Sequence, residues 1–258
     1  MGYYPHVFND ELNFEQAFVE LLKECGWEKN VIKNPTEEDL IKNWADILFE
    51  NNREIDRLGN YPLNKEEMQD IIDQITALKT PFALNSFING KTVSITRKNP
   101  DDKLHFGKEI SLKIYDRNEI AGGKSHYQIV EQPRFKARNE IFPNRRGDVM
   151  LLINGMPLFH IELKKSGIPL SQAENQIEKY SNEGIFRGIF SLIQIFIAIT
   201  PEDAVYFTNP GSDTSHFNRD FFFHWANFDN EPIHDWIEFT KNLLFIPMAH
   251  QLIGFFTV

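Results

Sequence analysis

Apolar residues recur every three to four positions in three stretches near the start of the chain, Glu11–Cys25, Glu37–Asn51 and Lys65–Leu78, and each stretch predicts an amphipathic helix. Pro35-Thr36-Glu37-Glu38 supplies a start signal for the second, and Asn64 a cap for the third. Beyond residue 90 the pattern changes to short, largely apolar runs. Thr92–Thr96, Glu109–Tyr115, His126–Val130, Gln194–Ile199 and Ala204–Thr208 read as strands, and Pro201-Glu202-Asp203 makes the last two an antiparallel pair. Residues 210–230 form a polar, aromatic-rich connection, and Ile233–Leu252 closes the chain as one or two amphipathic helices. The expected class is α/β in three parts. A mainly helical segment over 1–90 packs on a core over 91–210, and a connection with a closing helix follows over 211–258.

The central pair of runs, Val149–Ile153 and Leu158–Leu163, flanks Asn154-Gly155, a strong short-hairpin signal. Alternation along the second run puts His160, Glu162 and Lys164 on one face and Ile161 and Leu163 on the other. A loop of only Gly155 and Met156 would leave Asp148 opposite Leu163, on the wrong face. A three-residue loop or a bulge would set Asp148 opposite Glu162 or Lys164, and one of these devices is expected. Two carboxylates and an ammonium then gather at one end of the hairpin. That set suits Mg²⁺, a hard cation that takes oxygen ligands, keeps several waters and needs only one or two carboxylates plus a substrate phosphate. The cation would stabilise charge during phosphodiester hydrolysis, and a lysine on the same face would orient water or neutralise developing charge. A surface hairpin with ordinary charged ends has the same spacing, so this pattern does not decide the chemistry alone.

After the hairpin, Ile168-Pro169-Leu170-Ser171-Gln172 reads as a helix start, with Ser171 as cap and Glu174 completing a capping box. Leu170, Ala173, Ile177 and Tyr180 would face the core, while Gln176 and Tyr180 lie on neighbouring turns of one face. Upstream, Arg134, Lys136, Arg138, Arg145 and Arg146 crowd the approach to Asp148, with Glu140 the only acid among them. The whole chain carries a net charge of −10, which argues against indiscriminate coating of DNA. A local basic patch on an acidic protein can still take DNA phosphates at one place. A solvated connecting segment is the competing reading of the same residues.

Taken together, Asp148, Asn154-Gly155-x-Pro157-Leu158, Ile161-Glu162-Leu163-Lys164-Lys165 and Asn175-Gln176-Ile177-x-x-Tyr180 resemble the nuclease region of type I restriction enzyme motor (R) subunits, in the PD-(D/E)xK superfamily. Thinner matches run through Phe14-Glu15, Leu21-Leu22 and Gly26-Trp27, and later through Phe222-x-His224-Trp225-Ala226, Asp229-Asn230 and Glu238-Phe239. The Gln-x-x-x-Tyr helix after Glu-x-Lys best separates this family from other nucleases of the superfamily. The resemblance implies a restriction-endonuclease-like core, a mixed sheet flanked by helices. It implies Asp148 and Glu162 as metal-binding carboxylates, Lys164 as the catalytic lysine, and Gln176 and Tyr180 as an auxiliary motif near DNA and metal. Glu15 matches an acidic position that completes some sites of this kind, although a solvated carboxylate at a helix start is its plain alternative. Gly147 stands where the superfamily's name places a proline, at a position that varies.

The resemblance further implies Mg²⁺-dependent cleavage of double-stranded DNA in a complex with methyltransferase (M) and specificity (S) subunits, after ATP-driven translocation. The 258 residues contain no motor sequence, and Val258 falls where a motor would begin. The chain is therefore expected to be a piece of a longer protein that does not itself hydrolyse ATP. Two alternatives stay open: a stand-alone repair or resolvase-like nuclease of the same superfamily, and a non-catalytic docking module.

Composition narrows the field. Cys25 is the only cysteine, which excludes an intramolecular disulfide, a thiolate zinc cluster and a cysteine-ligated Fe–S centre. The longest apolar stretch, Ile185–Thr200, is interrupted by Arg187, Ser191 and Gln194 and is too short to span a membrane. The first residues lack a signal-peptide pattern, so a cytoplasmic setting without membrane partners is expected. Gly122-Gly123-Lys124-Ser125 lacks the first glycine of a phosphate-binding loop, that position being Asn118. Eight histidines are scattered without metal-ligand spacing, and no Gly-x-Ser-x-Gly elbow occurs.

Overall fold

The computed structural model describes residues 4–120, 122–137, 143–211 and 217–256. In chain order its strands are β1 (Ile32–Lys33), β2 (Thr92–Thr96), β3 (Glu109–Lys113), β4 (Tyr127–Glu131), β5 (Arg134–Phe135), β6 (Arg145–Arg146), β7 (Val149–Ile153), β8 (Met156–Leu163), β9 (Ile195–Ile199) and β10 (Ala204–Thr208). Its helices are α1 (Glu11–Glu24), α2 (Glu37–Asn51), α3 (Lys65–Ala77), α4 (Pro81–Asn89), α5 (Ser171–Asn182), α6 (Trp236–Leu243) and α7 (Ile246–Gln251). The three early helices and the main strands lie where the periodicity predicts them.

Six strands form one sheet in the order β1-β4-β7-β8-β9-β10. The β1–β4 and β8–β9 pairs are parallel and the other three antiparallel, so the fold is the α/β mixed sheet flanked by helices that the resemblance implies. Every residue of β7 and β8 is buried, which is why these central strands read as unbroken apolar runs. Phe159 packs edge-on against Trp27, just beyond α1, whereas Glu162 meets Gln176 of α5. Alternation along β8 therefore assigns the α1 and α5 sides to opposite faces.

Two expected core strands do not join this sheet. β2 and β3 pair only with each other, and their burial alternates strictly. One face of this small ribbon packs under α2 and α3, and the other is exposed. The pattern was alternating rather than fully apolar, and alternation suits a one-sided sheet. The pattern also passes over α4, a nine-residue helix that starts with a Thr80 cap and Pro81. The two-residue strand β1 is too short to carry a period.

Thr36 with Asp39 and Asn64 with Glu67 form reciprocal capping boxes at α2 and α3. The start of α5 differs from expectation, since Ser171 does not cap it. Leu170 is already helical at φ −53°, ψ −35°, and the start carries no side-chain cap. The Ala173 N–H is taken by the Leu170 carbonyl, which places the Ser171 hydroxyl inside the first turn rather than ahead of it. Glu174 turns outward to Arg219. At the far end of the chain, Trp236 of α6 stacks edge-on with Phe8 and Phe14, tying the closing helix to α1. Among the described residues, no helix is long and apolar enough to cross a membrane.

Candidate active site

The site begins with a turn. Asn154 and Gly155 alone connect β7 to β8, at φ 52° and 81°, the positive pair that a tight hairpin demands. A Cβ on Gly155 would come within 2.8 Å of the Trp44 backbone in α2, so both conformation and space require glycine. A two-residue loop by itself would put Asp148 opposite Ile161. The ladder slips by one residue between Leu151 and Leu152, and Leu158 becomes the extra residue of a bulge. Below the bulge Val149 pairs with Ile161, which brings Asp148 level with Glu162.

Here the two carboxyls meet. The Asp148 and Glu162 side chains hydrogen-bond one another, and Asp148 Oδ2 accepts the Leu163 N–H at 2.7 Å. Glu162 is fully buried. Its Oε1 lies 2.8 Å from His160 Nε2, and its Oε2 accepts from Gln176 Nε2. Burial, followed by the charge of Glu162, raises Asp148 well above the usual carboxylate range. Burial likewise raises Glu162, against the opposing pull of Lys164. The pair therefore retains a proton near neutrality, because burial and mutual repulsion outweigh the pull of Lys164.

Lys164 follows the end of β8, with its backbone N–H on the Ile199 carbonyl at 3.0 Å. Its Nζ donates to the Leu163 carbonyl at 2.9 Å and stands 3.8 Å from Glu11 of α1. Gln176 also donates to Tyr180 Oη at 2.9 Å, and that hydroxyl donates to the Arg146 carbonyl at 2.9 Å. Glu162, Gln176, Tyr180 and β6 thus form one chain of hydrogen bonds. Tyr180 is buried, as its helical position predicts. Glu15 is buried rather than solvated at a helix start. Burial and then the Asp148 charge push it up to about 7.

Of the neighbours, Gln132 carries no sequence signal of its role, whereas strand alternation already places His160 on the face of Glu162. Gln132, at φ 54°, donates its amide N–H to the Asp148 carbonyl at 2.7 Å and its side chain to Glu15 at 3.1 Å. It thereby couples α1 to the strand that carries Asp148. His160 is fully buried, and its Nδ1 has no hydrogen-bond partner among the described residues. Burial holds its pKa down, at about 4, so the ring is neutral and its Nε2 shares a hydrogen bond with Glu162. Gly147 has a steric reason, since a Cβ there would lie 2.7 Å from the His160 ring and 3.0 Å from Phe135.

The basic segment divides. Arg134 and Arg146 are directly opposed across the β5–β6 pair and both are exposed, as is Lys136. Arg145 is instead clamped to Glu183 at the end of α5 through two bonds of 2.7 and 2.6 Å. Arg138 and Glu140 lie outside the described residues. The Glu119 carboxylate already takes the Lys124 N–H and the Ser125 hydroxyl.

Comparison with known proteins points the same way as the geometry. The family model described as type I restriction enzyme R protein N terminus matches residues 9–215. The chain is 30% identical over 242 residues to the type I restriction enzyme SsaAORF53P endonuclease subunit of Staphylococcus saprophyticus, covering 92% of this chain and 23% of that protein. It is 27% identical over 246 residues to the SauCOLORF180P endonuclease subunit of Staphylococcus aureus, with the same coverage. It is 34% identical over 156 residues to the EcoprrI endonuclease subunit of Escherichia coli, covering 57% of this chain and 47% of that one. The chain thus spans about a quarter of the staphylococcal relatives it matches.

Proposed function

The chain belongs to the family of type I restriction enzyme R protein N-termini, and on that premise we propose that it is a Mg²⁺-dependent endonuclease domain that hydrolyses double-stranded DNA. The observation that carries this reading is the Asp148–Glu162 pair, a half-buried and a fully buried carboxyl pressed together with both pKa values raised. A structural site would relieve such repulsion with a local cation. This one leaves it standing, which suits a divalent cation brought from outside together with substrate phosphate.

In this reading Asp148 and Glu162 hold the metal. Bound there, it supplies charge neutralisation for the phosphodiester transition state and favours ionisation of the attacking water. The protein's own groups do the rest. His160 and Gln176 fix the two Glu162 oxygens, and the Leu163 N–H fixes Asp148, so neither carboxylate must reorganise as charge develops. Lys164, at the same end of the strand, orients the water that adds to phosphorus as the P–O ester bond breaks. Tyr180 holds Gln176 from behind, and Glu15 adds an acidic group beside Asp148. Arg134 and Arg146, like charges directly opposed on an exposed ribbon, disfavour one another until an anion bridges them. They and Lys136 would take DNA phosphates. Arg145 serves to brace β6 against α5 instead.

In the complete protein, cleavage would follow ATP-driven translocation, with M and S subunits supplying methylation and sequence recognition. Residues 211–258 would lead toward the motor. The endonuclease names of the relatives support this reading over a stand-alone repair or resolvase-like nuclease.

The deciding test is nicking of supercoiled plasmid with Mg²⁺ or Mn²⁺, comparing the chain with Asp148→Ala and Lys164→Ala. The expected result is cutting by the unaltered chain and by neither variant. Equal cutting by all three would place the chemistry elsewhere. If none cuts, the same variants assayed in the full R subunit with M and S would have to abolish restriction for the proposal to survive.

A further inference from the structure

Asp203, His224 and His234 are far apart in sequence but meet in space. One ligand atom from each lies within 4.8 Å of the other two. His234 Nδ1 is 2.7 Å and His224 Nδ1 3.3 Å from the same oxygen, Asp203 Oδ1, and the two ring centroids are 5.0 Å apart. Each partner is held by its own backbone. Asp203 closes the β9–β10 turn, accepting Thr200 N–H at its carbonyl and Ala204 N–H at its carboxylate, while its own N–H goes to the Thr200 hydroxyl. His224 follows Phe223, whose backbone pairs both ways with Tyr206 of β10. Its Nδ1 also lies 3.0 Å from the Ala204 carbonyl.

The second histidine arrives through a small hairpin. Ile233 N–H donates to the Trp225 carbonyl and Asn227 N–H to that of Glu231, with a bridge between Ala226 and Pro232. His224 and His234 flank this hairpin at its base, so closing it sets the two rings side by side. The cluster sits at the end of β9, the same end of the sheet at which Lys164 bonds Ile199. All three side chains are about a third exposed or more, which leaves room for a water in the coordination shell.

We propose that Asp203, His224 and His234 form a second metal site, one that binds a borderline divalent cation of the Zn²⁺ or Co²⁺ kind. Two imidazoles and one carboxylate match the donor set of three-ligand zinc sites with an open fourth position. Imidazole nitrogen separates this site from the all-oxygen Asp148–Glu162 pair, which favours Mg²⁺. Ligands 2.0–2.2 Å from a tetrahedral metal lie about 3.3 Å apart, close to the 2.7 and 3.3 Å at which the two Nδ1 atoms stand from Asp203 Oδ1, and ligation through His224 Nδ1 would replace its contact with the Ala204 carbonyl. The bound metal would staple the 225–233 hairpin to the β9–β10 turn, fixing the segment that leads into α6. This inference does not depend on the nuclease reading.

The test is titration of the chelator-treated chain with Co²⁺, followed by its visible absorption, alongside His224→Ala, His234→Ala, Asp203→Asn and Asp148→Asn. The expected result is a saturable site whose affinity falls more than roughly tenfold in each of the first three variants. Asp148→Asn should retain it. Circular dichroism of each variant separates loss of a ligand from loss of fold, and Asp203→Asn keeps the side-chain volume. Absence of saturable binding in the unaltered chain, or unchanged affinity in both histidine variants, would overturn the proposal.

Discussion

Two clusters of buried charge in this molecule follow opposite rules. At the β2–β3 ribbon, Arg97 is fully buried and bonds Glu67 at 2.8 and 2.9 Å and Asp102 at 2.8 Å. Glu67 also takes the backbone N–H groups of Asn64, Lys98 and Asn99, and Asp102 takes His105. Each acid there is matched by donors from within the chain. At the end of β7 and β8, by contrast, Asp148 and Glu162 face each other with Glu15 close by, and Lys164 spends its ammonium on the Leu163 carbonyl. Burial pushes Asp102 up, but the Arg97 and His105 hydrogen bonds outweigh it and hold the group below the usual range. The site carboxyls shift the other way. Buried charge that the protein neutralises itself is architecture, while buried charge left unneutralised marks a place for something else to bind.

The contrast can be broken most sharply by removing one acid from each cluster. Glu67→Ala would leave Arg97 buried without its partner and should cost about 3–5 kcal/mol in urea unfolding. Glu162→Gln, which removes a repulsive charge, should change metal-free stability by under about 1 kcal/mol or raise it. A severe loss for Glu162→Gln would erase the distinction. The next effect comes from adding Mg²⁺ at roughly a hundred times its Kd, which should stabilise the protein by about 2.7 kcal/mol. The rise in Tm should vanish in Asp148→Asn and persist in Asp102→Asn, whose fold is weakened but whose site is intact.

The pH dependence of stability should have opposite signs in the two regions. Glu15 in the folded protein lies at about 7, above its unfolded value, and Asp148 and Glu162 shift the same way. Their contribution is fully present below the unfolded pKa and is lost as pH rises through the folded values. Metal-free stability should therefore fall between about pH 4.5 and about pH 8, by on the order of 1 kcal/mol per pH unit. Glu15→Gln should flatten part of that slope, and Mg²⁺ should reverse it. Asp102, lowered on folding, contributes stability above its unfolded pKa and loses it only as pH falls through the depressed value. Denaturant midpoints measured from about pH 2 to about pH 9 would show both limbs.

The smallest expected effects separate the arginines. Arg134→Ala and Arg146→Ala should each weaken DNA binding and lower its log–log salt slope by about 0.9, as measured by fluorescence anisotropy. Arg145→Ala should leave that slope unchanged and cost about 1 kcal/mol or less of stability through the lost Glu183 pair. Equal salt slopes for all three would mean that the clamp on Glu183 does not decide which arginine meets DNA.

The hairpin shows how far local sequence reaches. Asn154-Gly155 announces the turn, and the requirement that Asp148 share a face with Glu162 calls for the slip that Leu158 makes. The spacing of Gln176 and Tyr180 predicts that they share a helix face, and they are in contact. These relations are local, governed by alternation and helical period. What surrounds them was not legible. Gln132 reaches Glu15 across 117 residues, and Arg145 is taken by Glu183 across 38. Ser171 failed as a cap because the turn before it had already started the helix.

Sequence alone determined the three early helices, the central strands and the family, because burial period, turn chemistry and motif spacing are written in neighbouring residues. Tertiary structure alone decided which charges are neutralised. Arg97 finds two acids and Asp148 finds another carboxyl, although nothing in either local sequence distinguishes the two outcomes. It also decided that three scattered residues, Asp203, His224 and His234, share one point in space. The physical reason is range. Period and turn propensity act over a few residues, whereas electrostatic partners and ligand sets are assembled only when the sheet and its connections bring distant segments within a few ångströms.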